Sequence, residues 1–192
     1  MIRLVLLRHF ATLGNLQKRY IGTTDEPLCE EGRKASKKIS YPKVDTVLTS
    51  PLTRCRETAG LIYPQLSPIV CDGFRECDFG EFENKNYMEL TNNPKYQAWL
   101  DSNGTLSFPN GEGVEEFKGR TLLEFERRME LYSSKDNITV ALVVHGGTIM
   151  SILEKYAYPK EEFYHWQVKN GCGYSADYDE KKGRIINICN IP

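Results

Sequence analysis

Two apolar runs rich in β-branched residues, Ile2–Leu7 and Ile138–Val144, each stop at a histidine. The first runs into Arg8-His9 and the second into His145-Gly146-Gly147. Short apolar runs of this kind are expected of buried strands. In an open α/β sheet, ligands are held at the carboxyl ends of such strands. Two of the chain's three histidines are therefore delivered to one edge of a sheet, one with an arginine beside it. That combination describes a site for an anionic group.

The remaining pattern alternates strands with helices. Further strands are expected at Val44–Thr49, Pro68–Val70, Gly173–Tyr178 and Arg184–Cys189. The last two are joined by Asp179–Gly183 as a hairpin, so the sheet can be mixed. Helices are expected at Glu30–Ile39, from Ser50 as N-cap with Pro51 in the first turn, at Gly113–Tyr132 and at Thr148–Tyr156. Such alternation implies an α/β layered domain. No repeat or linker-like shift breaks residues 1–192, which read as one domain. The aromatic stretch from Phe74 to Asn110, with Pro94 and Gly104 as breakers, fits the alternation poorly. It reads as an insertion over about residues 74–112 that forms a cap or lid, or as the core of one.

Composition narrows the function classes. A formal net charge of −1 gives no general pull toward nucleic acid or an anionic membrane, so attraction for phosphate must be local. The apolar run at the start is too short for a membrane span and lacks the layout of a secretory signal, which favours a cytoplasmic protein. Six scattered cysteines without a CxxC pair are poor zinc ligands and are expected to be free thiols.

Three segments carry the chemistry. His9 beside a cation is held off protonation, which keeps a ring nitrogen free to attack at neutral pH. Taken alone, a strand-end histidine is more often a hydrogen-bonded structural residue than a nucleophile, and Arg8 beside it shifts that balance. Arg54, in the first turn of a helix, is unfavourable against the positive helix terminus unless an anion binds there; its other reading is a solvated surface arginine. Gly146-Gly147 before a helix allows close backbone approach to a negative group, but no P-loop follows. His165 has no supporting motif and reads as structural.

In this order, the residues resemble the histidine phosphatase (phosphoglycerate mutase-like) superfamily. The resemblance rests on Arg8-His9, Asn15, Tyr20-x-Gly22-x-Thr24-Asp25-x-Pro27-Leu28 and Ser50-Pro51-Leu52-x-Arg54. It continues through Glu76, Gly80, Glu83, Gly111-Glu112 and His145-Gly146, and so covers nearly the whole chain. It implies a three-layer α/β/α sandwich, a mostly parallel central sheet with helices on both faces and a phosphate pocket at its carboxyl edge. It also implies His9 as nucleophile, Arg8, Asn15, Arg54, His145 and Gly146 as phosphate-binding residues, Glu76 as general acid, and Glu83 as a network residue. No cofactor or metal is implied. Three departures stand out: Phe10 where glycine commonly follows the Arg-His pair, Asn84 where glycine commonly follows glutamate, and Gly113-Val114 in place of Ser-Leu. Phe10 either alters the backbone past the nucleophile or places an aromatic wall beside the leaving group.

The compact chain resembles the phosphatase branch more than the mutases. A metal-independent phosphomonoesterase acting on a small-molecule ester is expected, with α-ribazole 5′-phosphate as the favoured substrate. A phosphoglycerate mutase-type transferase and a non-catalytic phospholigand-binding protein are the alternatives. No nucleic-acid or membrane partner is expected, and the sequence leaves the oligomeric state open.

Overall fold

A computed structural model describes residues 1–135 and 137–192. Among them, six strands form one mixed sheet. In chain order they are β1 (Ile2–Arg8), β2 (Thr46–Thr49), β3 (Ile69–Val70), β4 (Thr139–Val144), β5 (Gly173–Asp179) and β6 (Arg184–Ile191). The spatial order is β3-β2-β4-β1-β5-β6. The first four run parallel, while β5 and β6 are antiparallel and form the expected hairpin.

Strand β1 lies in the middle because almost every side chain on it is apolar. Ile2, Leu4 and Leu6 face one side, packing with Phe125, Met129, Ile149 and Ile152. Val5 and Leu7 face the other, packing with Cys55 and Ala59. Alternate residues thus enter different layers, as the two-residue period of a strand requires. Each fully buried aliphatic side chain contributes about 1.5–3 kcal/mol of transfer free energy. The helices that cover the sheet are α3 (Thr53–Ile62) on the Val5 side and α6 (Val114–Glu130) with α7 (Gly146–Tyr156) on the Leu4 side. Shorter helices are α1 (Leu13–Leu16), α2 (Glu30–Ala35), α4 (Tyr87–Leu90) and α5 (Pro94–Asp101). The structure is thus the three-layer α/β/α arrangement with a mostly parallel sheet.

Two helix starts differ from the sequence expectation. Helix α3 begins at Thr53, not at Pro51, and Ser50 does not cap it. Asp25, brought in from a distant loop, accepts the Thr53 backbone N–H at 2.7 Å and its hydroxyl at 2.9 Å. Helix α7 starts two residues early, at Gly146, with His145 as its N-cap residue. Gly113 is the N-cap of α6 and supplies no side-chain bond; glycine in place of a capping serine costs only a few tenths of a kcal/mol.

Residues 74–112 hold α4 and α5 and build a second, smaller apolar cluster. Phe82, Leu90, Tyr96 and Phe108 are buried there, with Tyr20 and Trp99 packed against them. Tyr96 and Trp99 stack at 6.1 Å, and Phe79 meets Phe108 edge-on at 5.0 Å. The periodicity failed in this stretch because aromatic contacts across turns, rather than one helix face, organise it.

Candidate active site

The register of the sheet places the two strand-end histidines side by side. Leu7 pairs with Val143 and Arg8 with Val144 on parallel neighbours, so His9 and His145 emerge together. The His9 backbone N–H donates to the Val144 carbonyl at 3.0 Å. Their rings lie 5.3 Å apart at 68°. Both are buried.

His9 has a defined tautomer. Its Nδ1 is 2.6 Å from the Phe10 carbonyl oxygen. A carbonyl only accepts, so Nδ1 carries the proton and Nε2 keeps its lone pair. Burial, then the charges of Arg54 and Arg8, hold the imidazole well below its ordinary pKa, against the opposing Phe10 carbonyl. The ring is neutral at pH 7 and can donate electrons at Nε2.

Arg54, the second residue of α3, is fully buried. It donates Nη1 to Thr24 O at 2.8 Å, and Nη2 to Gly22 O at 2.8 Å and Ile21 O at 3.3 Å. Arg8 donates Nη1 to Val168 O at 2.8 Å. Burial lowers the Arg8 pKa, with the Glu76 charge opposing. The Nε atoms of both arginines are buried without a partner. Their acceptors are carbonyls, not carboxylates. A fully buried and a part-buried guanidinium, each with a buried unfilled Nε donor, next to two neutral imidazoles, leave positive charge uncompensated, and a bound anion would offset that cost.

His145 donates or accepts at Nε2 with the Ser50 hydroxyl, 2.8 Å away, and the Cys55 thiol lies 3.5 Å from the same nitrogen. Burial, followed by the charges of Arg54, His9 and Arg8, depresses its pKa well below the ordinary value. Without a ligand it is therefore neutral; a phosphate dianion would raise it. Ser50, expected as a helix cap, bonds this histidine, and its hydroxyl also accepts the Leu52 N–H at 3.3 Å just ahead of α3.

Asn15 sits in a capping box with Thr12. Its Oδ1 accepts the Thr12 N–H at 3.2 Å and the Asn170 amide at 3.1 Å, so its NH2 end is the part left to donate. Asn170 also donates to the His9 carbonyl at 3.0 Å. No motif surrounds Asn170, and sequence reasoning missed it. The Thr58 hydroxyl accepts the Phe10 N–H at 3.0 Å and donates to Arg54 O at 2.7 Å, tying the nucleophile loop to α3.

Neither expectation for Phe10 holds. Its ring is buried, 6.2 Å edge-on from Tyr41. It fills the space that Gly171 leaves, since a Cβ at Gly171 would lie 2.6 Å from the ring. Phe10 is absent from the positive-φ residues, so the backbone there is one any residue adopts. Asn84 does have positive φ, at 56°. Asparagine is the side chain best able to replace glycine in that conformation, so this departure is conservative.

Glu76 approaches from the other side. It accepts the Cys77 N–H at 3.0 Å through Oε1. Its pKa is raised by burial, against that bond and the charges of Arg54, Arg8 and Arg120. Gly147 makes room for it: a Cβ there would lie 2.7 Å from Glu76 Oε1 and 2.9 Å from the Phe117 ring. A Cβ at Gly146 would touch Arg8 only at ordinary contact distance, 3.6 Å. The close approach that a glycine permits is therefore needed at Gly147. Beside Glu76 opens a cleft of about 490 Å³ lined by Thr23, Leu52, Arg75, Asp78, Asn110 and Glu116. Arg8, His9, Arg54 and His145 line neither this cleft nor a larger groove of about 790 Å³ beside β6.

Glu83 joins the two sides. One oxygen accepts the N–H groups of Gly22 and Thr24, both at 2.8 Å, and the carbonyls of those residues receive Arg54. His165 stays outside the cluster, half-exposed beside Glu161. The six cysteines are free thiols. No helix of the described residues is long and apolar enough to cross a membrane.

This fold, with paired histidines and arginines at the carboxyl edge of the sheet, is that of a phosphoryl-handling enzyme. Residues 4–191 match the histidine phosphatase superfamily (branch 1), and the chain belongs to that family. It is similar to the uncharacterized phosphatase PhoE of Bacillus subtilis, at 31% identity over 96% of this chain and 93% of that one. It is 28% identical to the adenosylcobalamin/alpha-ribazole phosphatase of Escherichia coli, over 97% and 96% of the two chains. The crystal structure of a putative alpha-ribazole-5′-P phosphatase from Escherichia coli superposes with a TM-score of 0.83 at 25% identity, over 99% of this chain and 95% of that one. The protein is a phosphatase of this family, a phosphoric monoester hydrolase.

Proposed function

We propose that the protein hydrolyses a small phosphate monoester through a phosphohistidine at His9, without a metal, and that α-ribazole 5′-phosphate is its substrate. One observation carries the reading: a neutral His9 with Nε2 free, under the charges of the fully buried Arg54 and the part-buried Arg8, neither of which bonds a carboxylate.

The phosphoryl group lies against Arg8, Arg54, His145, the Asn15 amide and the Gly146 N–H at the start of α7, which together neutralise its equatorial oxygens. The His9 Nε2 lone pair forms the N–P bond as the ester P–O bond breaks. The leaving oxygen takes the proton of Glu76, whose protonated form burial favours. A water then attacks the phosphohistidine, gives its proton to Glu76 and releases inorganic phosphate, which restores both residues. The relatives named for alpha-ribazole phosphatase activity support the substrate, since they match along nearly the whole chain.

The test is phosphate release from α-ribazole phosphate, phosphoglycerates and sugar phosphates, with no bisphosphate primer and with a chelator present. Preferred hydrolysis of α-ribazole phosphate, with label trapped on His9, is expected. Transfer to a second hydroxyl without phosphate release would make the protein a mutase. Inactivation by the chelator would overturn the metal-free mechanism, and binding without turnover would leave a phospholigand-binding protein.

A further inference from the structure

We propose that Arg120 is a positioning residue of this reaction: its guanidinium fixes the loop that carries Glu76 and closes the base of residues 74–112. The inference rests on Glu76 being the acid of the proposed mechanism.

Arg120 lies on α6, where an amphipathic pattern assigns an arginine to solvent. All five of its N–H donors are engaged instead. Nη1 donates to Gly73 O at 2.9 Å and Arg75 O at 2.8 Å. Nη2 donates to Glu76 O at 3.0 Å and Glu112 Oε2 at 2.8 Å, and Nε to Glu112 Oε1 at 2.6 Å. Three carbonyls where the segment begins and one carboxylate where it ends therefore meet on a single planar group. Glu112 and Asp78 close the same junction through their backbones, with Glu112 N–H donating to Asp78 O at 2.9 Å. Gly73 lets α6 come this near: a Cβ there would lie 2.5 Å from the Glu124 Cβ.

The Glu76 carboxylate has its own bond only to the Cys77 N–H, so its place depends on where this backbone sits. The guanidinium stands 5.0 Å over the Phe117 ring, and that ring abuts Gly147 beside the carboxylate. Arg120 thus bounds the Glu76 pocket from two directions while touching no reacting atom. A lysine carries the same charge but offers three donors from a point, and cannot reproduce a fork that spans three carbonyls and a carboxylate.

The test compares Arg120→Lys, Arg120→Met and Glu112→Gln with Glu76→Gln on two esters. One is an alkyl phosphate, whose leaving oxygen needs a proton; the other is 4-nitrophenyl phosphate, whose leaving group departs without one. For Arg120→Lys, kcat on the alkyl ester should fall about 10–100-fold with KM nearly unchanged. The pre-steady-state burst of nitrophenolate should slow by about threefold or less, because that step needs no acid. In Arg120→Met the alkaline limb of the pH–rate profile should move upward, since a cation that lowers the Glu76 pKa is gone. Parallel loss on both esters, tracking a fall in melting temperature, would reduce Arg120 to a structural residue and overturn the inference. So would unchanged alkyl-ester turnover in Arg120→Lys, provided Glu76→Gln is slow. If an Arg120 variant fails to fold, Glu112→Gln carries the comparison, with the same ester split expected at smaller size and its absence decisive. Full alkyl-ester activity in Glu76→Gln would instead sink the parent mechanism.

Discussion

The two sides of the candidate site, the paired histidines and arginines as the phosphate wall and Glu76 with its cleft as the acid wall, are held by different forces. Arg8, His9, Arg54 and His145 project from the ends of β1 and β4 and the start of α3, each continuous with the main apolar core. Glu76 projects from a loop fastened by hydrogen bonds to Arg120, above a separate aromatic cluster. The phosphate wall thus shares its anchoring with the main core, whereas the acid wall rests on the aromatic cluster, joined to α6 through Phe117 and Arg120. An enzyme that binds one fixed group, phosphate, and releases a variable alcohol benefits from that division. The two walls also titrate in opposite directions: burial and neighbouring cations keep His9 and His145 neutral, while burial favours the protonated form of Glu76.

Breaking the phosphate wall gives the largest effect. His9→Ala should reduce turnover on every ester by at least about 10⁴-fold, because no other group can carry the phosphoryl intermediate. Retained turnover in a phosphate-release assay would mean another nucleophile. Phe82→Ala tests whether the acid wall loosens separately. It should cost about 3–5 kcal/mol in the aromatic cluster. Hydrogen exchange should then quicken over residues 78–110 while β1 and β4 stay protected. Uniform acceleration would show that the two regions unfold as one.

The opposite titrations can be read as stability. His9 and His145 have folded pKa values below 6.5, so the unfolded chain binds two more protons as pH falls below that value, and stability is lost there. Glu76 has a folded pKa above 4.5, so its contribution has the other sign and is lost as pH rises from 4.5. Where these windows overlap, the two contributions oppose each other, and the slope of stability with pH takes the sign of the larger. Denaturant titrations between pH 5 and 6.5 in phosphate-free buffer measure it. His145→Asn should flatten the slope and Glu76→Gln should steepen it; a slope unaltered by either would remove the assigned protonation states.

The smallest effects compare glycines inside the two flanking helices. A Cβ at Gly60 in α3, or at Gly119 in α6, meets no atom within 4 Å. Alanine at either position should stabilise the protein by about 0.5–1 kcal/mol. Gly60→Ala should leave ester selectivity untouched. Gly119→Ala, one residue from Arg120, should favour alkyl esters slightly if a stiffer α6 holds the clamp better; equal kcat ratios in both variants would say that helix stiffness does not reach Glu76.

The strands that build the phosphate wall were legible within about two residues, because β1 and β4 are short apolar runs buried on both faces that stop at polar residues. The histidine positions followed from those strand ends. Ser50 was only partly read: its hydroxyl does accept the Leu52 N–H ahead of α3, but it also bonds His145, and the first N–H of the helix is taken by Asp25. Phe10 looked disruptive until Gly171 was seen to leave space for its ring. Arg120 and Asn170 carried no signal, since a single arginine on a helix and a single asparagine in a loop resemble any solvated surface.

Local chemistry in the chain was enough to specify the strands, the paired imidazoles at their ends and the family, because apolar period and motif order are properties of neighbouring residues. The fold alone decided the tautomer of His9, the neutral state of His145 and the hold of Arg120 on Glu76. The neutral His145 and the Arg120 contacts depend on burial or on groups dozens of residues away, and the tautomer on the backbone course that sets the Phe10 carbonyl against its neighbour's ring. None of these enters a sequence until the chain has folded.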